Sequence, residues 1–197
     1  MKRKEEPRMA RMPRMGTSRE SRYGMRSLAD TRGGVVFRPI GVIRSEHTAA
    51  KKTPIQPVFA AGCRGRAIVR REFAAAMKDL EGFSHVHLLY FFHKAKGSKL
   101  LVKPFLQDVD RGVFATRAPC RPNAIGLSVV RLIRRTGNVL HLEGVDMLDG
   151  TPLLDIKPYV GRFDRIEGSR SGWQEDVDDR TARRRGRRGY RKGRKSR

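Results

Sequence analysis

The stretch GLSVVRLIRRTGNVLHLEGVDMLDGTPLLDIKP, residues 126–158, decides the fold. It holds three strand candidates, Leu127–Ile133, Val139–Val145 and Leu153–Ile156, each rich in Val, Ile and Leu. Thr136-Gly137-Asn138 separates the first two and predicts a hairpin, because Gly and Asn tolerate the backbone that a tight turn requires. Asp149-Gly150 marks another turn ahead of the third run. Working outward, Gly112–Thr116, the apolar run Val86–Phe92 and the short Ala67–Val69 supply further strands, with Val86–Phe92 expected to be buried on both faces. Val35-Val36-Phe37 followed by Ile40–Ile43 supplies the first, with Pro39 implying an edge or a bulge. Ala74-Ala75-Ala76-Met77 predicts a short helix over Glu72–Leu80, ended by Gly82. The expectation is a mostly β fold of about seven short strands and one short helix. A closed or nearly closed β-barrel is the economical way to hide so many strand edges.

Composition places this core between basic extensions. Of 197 residues, 44 are Lys or Arg and 20 are Asp or Glu, a formal net charge of +24, and only 38% are hydrophobic. Residues 1–36 carry 10 basic and 4 acidic side chains, and 161–197 carry 14 and 6. The segment from Arg180 to Arg197 has 11 Lys or Arg and no acid. A run of this kind repels itself until a polyanion neutralises it, which points to phosphate backbones. Residues 1–34 are therefore expected to be a disordered basic extension, 35–162 the folded domain, and 163–197 a basic, disordered tail. No apolar run is long enough to span a membrane, and no apolar h-region follows the Arg-rich N-terminus. Cys63 and Cys120 are far apart, which argues against a disulfide framework and favours a reducing, cytoplasmic setting.

The residues that could carry chemistry begin with absences. Neither G-x-G-x-x-G after a strand nor G-x-x-x-x-G-K-[ST] occurs, so the common nucleotide cradles are missing. His85 and His87 share one strand face, but two ligands do not make a metal site; no metal is expected, and His85 is expected to bond a turn at Phe83-Ser84-His85. Two loops concentrate Pro, Gly, Arg and Asn: residues 114–128, with Arg117 and Arg121 four residues apart in a segment stiffened by Pro119 and Pro122, and residues 146–152, with Asp149-Gly150. A guanidinium on a stiff loop suits a carboxylate or phosphate. Ordinary turn chemistry also accounts for each loop taken alone.

Together these loops resemble the TrmO family, also called TsaA-like or YaeB-like. GVFATRAPCRPNAIGLS and DMLDGTPLLDIKPY carry the likeness, with IGVIRSEHT, TPIQP and LEGFSHVHLLYFFHKA in the family's order, over about residues 37–160. The resemblance implies an S-adenosylmethionine-dependent tRNA methyltransferase without a metal, acting on N6-threonylcarbamoyladenosine beside the anticodon of threonine tRNA. It also implies a β-barrel homodimer with the cofactor near the subunit interface, unlike the Rossmann-type methyltransferases. Residue by residue, it assigns the methyl donor to Pro54, Ile55 and Gln56, to His93 and Lys94, to Arg117, to Leu127, and to Asp149, Gly150, Thr151 and Pro152. No catalytic residue is assigned; Asp149 and His93 are candidate bases, and alignment alone is the alternative. Ile55 stands where many relatives have Arg, Lys94 where Gln is common, and Ala124 where the family has Pro. Two rival readings stay open: a non-catalytic RNA-binding barrel, and a small-molecule methyltransferase with incidental basic tails.

Overall fold

Alternating burial along six strands wraps the chain into a closed antiparallel barrel. The structure, a computed structural model, describes residues 35–189; the expected extension 1–34 and the end of the expected tail, 190–197, lie outside the described residues. The chain divides into two units, 1–36 and 37–197, and the second holds every strand and helix described. Its strands are β1 (Gly41–Ser45), β2 (Arg64–Val69), β3 (His85–Phe91), β4 (Leu101–Val102), β5 (Arg111–Gly112), β6 (Ile125–Thr136), β7 (Val139–Glu143) and β8 (Thr151–Pro158). The barrel runs β1-β2-β7-β6-β3-β8, and β4 pairs with β5 apart from it. Gly41 opposite Leu153 and Ile43 opposite Thr151 close β8 onto β1. Six strands thus make the barrel, and the two-residue β4–β5 pair was not anticipated as such.

Period two explains the closure. Val86, Leu88 and Tyr90 of β3, Val130 and Leu132 of β6, Leu140 and Leu142 of β7 and Leu153 of β8 all point inward and are buried. Gly126 is required here: a Cβ would lie 2.2 Å from the Tyr90 ring. The hairpin expected at Thr136-Gly137-Asn138 joins β6 to β7, with Thr136 opposite Val139 and Gly137 at φ 59°.

Several expectations change. Val35-Val36-Phe37 is not in a strand, and β1 starts only at Gly41, past the restriction that Pro39 imposes. β3 is not buried on both faces: His85, His87, Leu89 and Phe91 alternate outward. Gly112–Thr116 forms only the end of β5 and then a 3-10 turn over Val113–Ala115. The helix expected over Glu72–Leu80 is a 3-10 turn, Arg71–Met77. Phe73, Ala74 and Met77 of this turn meet the core, so its winding answers to packing as well as to the helix propensity of the alanines.

The tail is not disordered from 163. Helices α1 (Gly161–Asp164) and α2 (Asp179–Gly186) form there, with Trp173 in a 3-10 turn between them. Asp178 caps α2 by accepting from the Thr181 amide at 2.9 Å, and Arg183, Arg184 and Arg185 occupy its last turn, where the helix dipole favours cations. The segment docks because its cations find partners within the chain. Arg185 grips Asp108 with two bonds of 3.1 and 2.8 Å. Arg188 lies 3.9 Å from the Phe105 ring centroid and donates to the Ala50 carbonyl at 2.7 Å. The Trp173 indole donates to the Ala115 carbonyl at 2.8 Å. Gly186 sits so close to Phe59 that a Cβ would come within 2.5 Å of the ring, and its carbonyl accepts from the Ile55 amide at 2.9 Å.

Candidate functional site

Two contacts between distant segments define the site. Pro54 is buried after Thr53, whose hydroxyl donates to the Ala49 carbonyl at 2.9 Å. Ile55 is tied to α2, and Gln56 accepts through Oε1 from the Arg117 guanidinium at 2.6 Å. The loop presenting Arg117 is held from within: Arg121 donates to the Thr116 carbonyl at 2.9 Å, and the Thr116 hydroxyl donates to the Val113 carbonyl at 2.9 Å. Arg121 is thus a loop staple, whereas Arg117 stays exposed with most of its donors available. The second contact joins β8 to the chain following β3, with Thr151 Oγ1 3.5 Å from His93 Nδ1. Thr151 is buried and donates to the Leu148 carbonyl at 2.7 Å. Lys94, next to His93, is exposed. Partial burial, then the Lys94 charge, holds the His93 imidazole below its ordinary range.

The turn Asp149-Gly150 leads into Thr151 and Pro152 at the barrel seam. Its amides donate to the carbonyls of His47 (2.8 Å) and Ile43 (2.9 Å), and Gly150 has φ 77°, which favours glycine. The Asp149 carboxylate accepts from the Ser45 amide and from Arg44, each at 3.1 Å, and these bonds lower its pKa. A carboxylate held ionised in this way is a poor base and a good fixed acceptor. Leu127 stands apart. It is 47% exposed on the outer face of β6, opposite in parity to the buried Ser128.

Sequence reasoning passed over a buried polar chain beneath these loops. Tyr90 Oη and Ser128 Oγ are 3.1 Å apart, and Ser128 donates to Asp146 Oδ1 at 2.8 Å. Burial pushes the Asp146 carboxyl up to about 7, against the lowering effects of Ser128 and then Arg117. Burial likewise raises the Tyr90 phenol far above its ordinary range. Arg117 therefore lies near enough to influence both groups. A polar Ser at an inward position of β6, between Gly126 and Val130, is the signal that would have flagged the chain.

The histidine pair has other work. His85 Nδ1 meets Ser84 Oγ at 2.9 Å, at the turn expected for it, and His87 Nε2 lies 3.4 Å from Asp164. Among the described residues, a different cluster brings possible metal-ligand atoms together. Glu46, His47 and Cys63 each place one within 4.8 Å of the others, with His47 Nε2 2.9 Å from the Val145 carbonyl. Neither cysteine forms a disulfide among the described residues, and no described helix is long and apolar enough to cross a membrane.

Comparison with known proteins meets this geometry. The model of the tRNA-methyltransferase O N-terminal domain matches residues 42–165. A Pyrococcus abyssi protein named as a probable S-adenosyl-L-methionine-binding protein is 53% identical over 141 residues, covering 72% of this chain and 77% of the relative. The human protein named tRNA (adenine(37)-N6)-methyltransferase is 38% identical over 139 residues, 67% of this chain but 32% of its own length. The chain thus spans about a third of that longer relative. The crystal structure of TrmO from Pseudomonas aeruginosa superposes with a TM-score of 0.59 at 42% identity, covering 71% of this chain and 62% of the solved one. With the barrel and its loops matched in both sequence and structure, the chain belongs to the TrmO family.

Proposed function

We propose that this chain transfers a methyl group from S-adenosylmethionine to N6 of threonylcarbamoyladenosine beside the anticodon of threonine tRNA, as a homodimer in the cytoplasm. The observation that carries the reading is the convergence of motif segments far apart in sequence, Gln56 on Arg117 at 2.6 Å and Thr151 beside His93 at 3.5 Å, above the buried Asp146. Pro54, Ile55, Gln56, His93, Lys94, Arg117 and the turn from Asp149 to Pro152 would hold the donor. S-adenosylmethionine supplies an electrophilic sulfonium methyl when bound.

The chain's own residues supply position and proton handling. Arg117 keeps donors free for an anion, either a carboxylate or an RNA phosphate. Asp149, oriented by Arg44 and the Ser45 amide, offers a fixed acceptor to a hydroxyl or ammonium. The target nitrogen is a weak nucleophile, its lone pair delocalised into purine and carbamoyl, so alignment is the main demand. Its proton must leave as the new bond forms. His93, held neutral, is the better acceptor of the two sequence candidates, because Asp149 is locked as an anion.

Leu127 supports the dimer. On the outer face it pairs with Leu89, and Phe91 pairs with Ile125, which leaves an apolar patch with Leu127 47% and Phe91 44% exposed. From there Leu127 would reach a donor bound with a second copy. Calorimetry with S-adenosylmethionine and methyl incorporation into unfractionated tRNA test the reading. Absence of donor binding at millimolar concentration favours a non-catalytic RNA-binding barrel. Binding without incorporation favours a small-molecule methyltransferase.

A further inference from the structure

Strand register creates a feature that meets the donor site only at one end, through Arg44. On the outer face of the barrel Arg44 of β1 lies opposite Arg66 of β2, Arg66 opposite His141 of β7, and His141 opposite Arg134 of β6. Four basic side chains thus form one continuous row across four strands. They line a cleft of about 600 Å³ together with Arg64, and Asp149 stands at the Arg44 end. The row is unlike its neighbours on the same face. On one side Arg64 and Arg131 flank Glu143, which Arg131 pairs at 2.8 Å, so that row has an acid set between its two arginines. On the other, Val42, Ile68 and Val139 make an apolar row. Arg66 and Arg134 have no acidic partner among the described residues, and Arg134 donates only to the neighbouring Thr136 hydroxyl.

Arg44 and Arg66 place like charges directly opposite across strands, which destabilises a sheet. A fold that keeps them where Thr or Gln would serve as well retains them for an external anion. Adjacent strands are about 4.8 Å apart, so the row is about 14 Å long, more than a single phosphate spans. Its occupant therefore carries several negative charges in line. We propose that this row is a phosphate track that seats the tRNA backbone and leads it to the Asp149 turn. The naming of tRNA as the polyanion rests on the function proposed above; the track itself rests on the register. His141 fits within it: partial desolvation, then Arg134 and Arg66, keeps the imidazole below its ordinary range, as in a site built around positive charge awaiting an anion.

The test is the full-length double variant Arg66→Gln, Arg134→Gln, compared with wild type and with Arg131→Gln, whose arginine is paired by Glu143. Affinity for bulk tRNA is measured across a salt titration, together with S-adenosylmethionine affinity and Tm at low salt. Losing two phosphate contacts should flatten the log-log salt slope by about 1.4–1.8. Tm should rise by about 2–4 °C, because relief of the like-charge pairing stabilises the sheet. Donor affinity should stay at the wild-type value, and Arg131→Gln should keep the wild-type slope. A wild-type slope in the double variant, an equal flattening by Arg131→Gln, or a fall in Tm each overturns the track. Failure of the parent reading looks different: wild type would bind tRNA with the steep slope yet bind no donor.

Discussion

Replacing Asp146 with Asn should make the protein more stable, and increasingly so as pH rises. The carboxyl is buried, accepts from Ser128 at 2.8 Å and is pushed up to about 7 from its ordinary 3.8. The folded state therefore binds this proton more tightly than the unfolded chain does. Between about pH 4 and pH 7 the folded protein holds the extra proton, so stability falls through that window as pH rises and the penalty is complete above it. Roughly three pKa units at 1.36 kcal/mol each give about 4 kcal/mol for keeping the buried carboxylate charged at pH 8. Asn keeps an oxygen for the Ser128 hydroxyl and removes the charge. Any cost of burying its NH2 is independent of pH and displaces the whole curve without changing its shape. Urea unfolding of both proteins from pH 4 to pH 9 reads the difference directly. The Asn variant should gain on wild type steadily up to about pH 7 and then hold a constant advantage. A difference that does not vary with pH, or a wild type that gains with rising pH, would refute the assignment of Asp146 as a carboxyl held protonated by burial.

Other consequences follow from the same geometry. Arg117→Ala should lower methyl transfer by about 10- to 150-fold, the loss of a charge-assisted contact of about 1.5–3 kcal/mol, whereas Lys94→Ala should cost much less because Lys94 is exposed; equal activities would mean the site lies elsewhere. In the same Arg117 variant, donor and tRNA affinities measured separately show which anion Arg117 meets, the weakened ligand being the one it holds. Deleting residues 190–197 should weaken tRNA binding with donor affinity unchanged, but deleting 179–197 should weaken donor binding as well, since it removes the Gly186 carbonyl from the Ile55 amide; titration calorimetry on both truncations separates the two effects. Leu88→Ala, at a fully buried barrel position, should lower unfolding free energy by about 2–5 kcal/mol in urea denaturation.

What the sequence revealed depended on how local the determining interactions are. The β6–β7 hairpin was legible because Thr136-Gly137-Asn138 encodes its own turn, and β8 because Asp149-Gly150 sets its start. The 3-10 turn over Arg71–Met77 is not legible because three alanines favour a helix in isolation, while the core contacts of Phe73, Ala74 and Met77 act only in the folded chain. Docking of the C-terminal segment was invisible for a different reason. Its partners, Asp108, Phe105, Ala50 and Ala115, lie far away in sequence, and composition counts the arginines without their acceptors. The site divides along the same line. Motifs located Gln56, His93, Arg117 and Thr151, and the structure brings them together in two pairs. Asp146 escaped notice because it sits three residues before a turn aspartate, and only the Ser128 contact reveals its burial. The arginine row could have been drawn in part from the hairpin register, which pairs Arg134 with His141, but its extension to Arg66 and Arg44 needs the closed barrel.

The central claim, methyl transfer from S-adenosylmethionine to threonylcarbamoyladenosine in tRNA, is tested most directly by nucleoside mass spectrometry of threonine tRNA incubated with the full-length protein and the donor. The predicted result is conversion of N6-threonylcarbamoyladenosine into a nucleoside heavier by one methyl group, with the methyl on N6 and the conversion lost in Arg117→Ala. Recovery of the unmethylated nucleoside in full, from a protein that is folded and binds the tRNA, would contradict it.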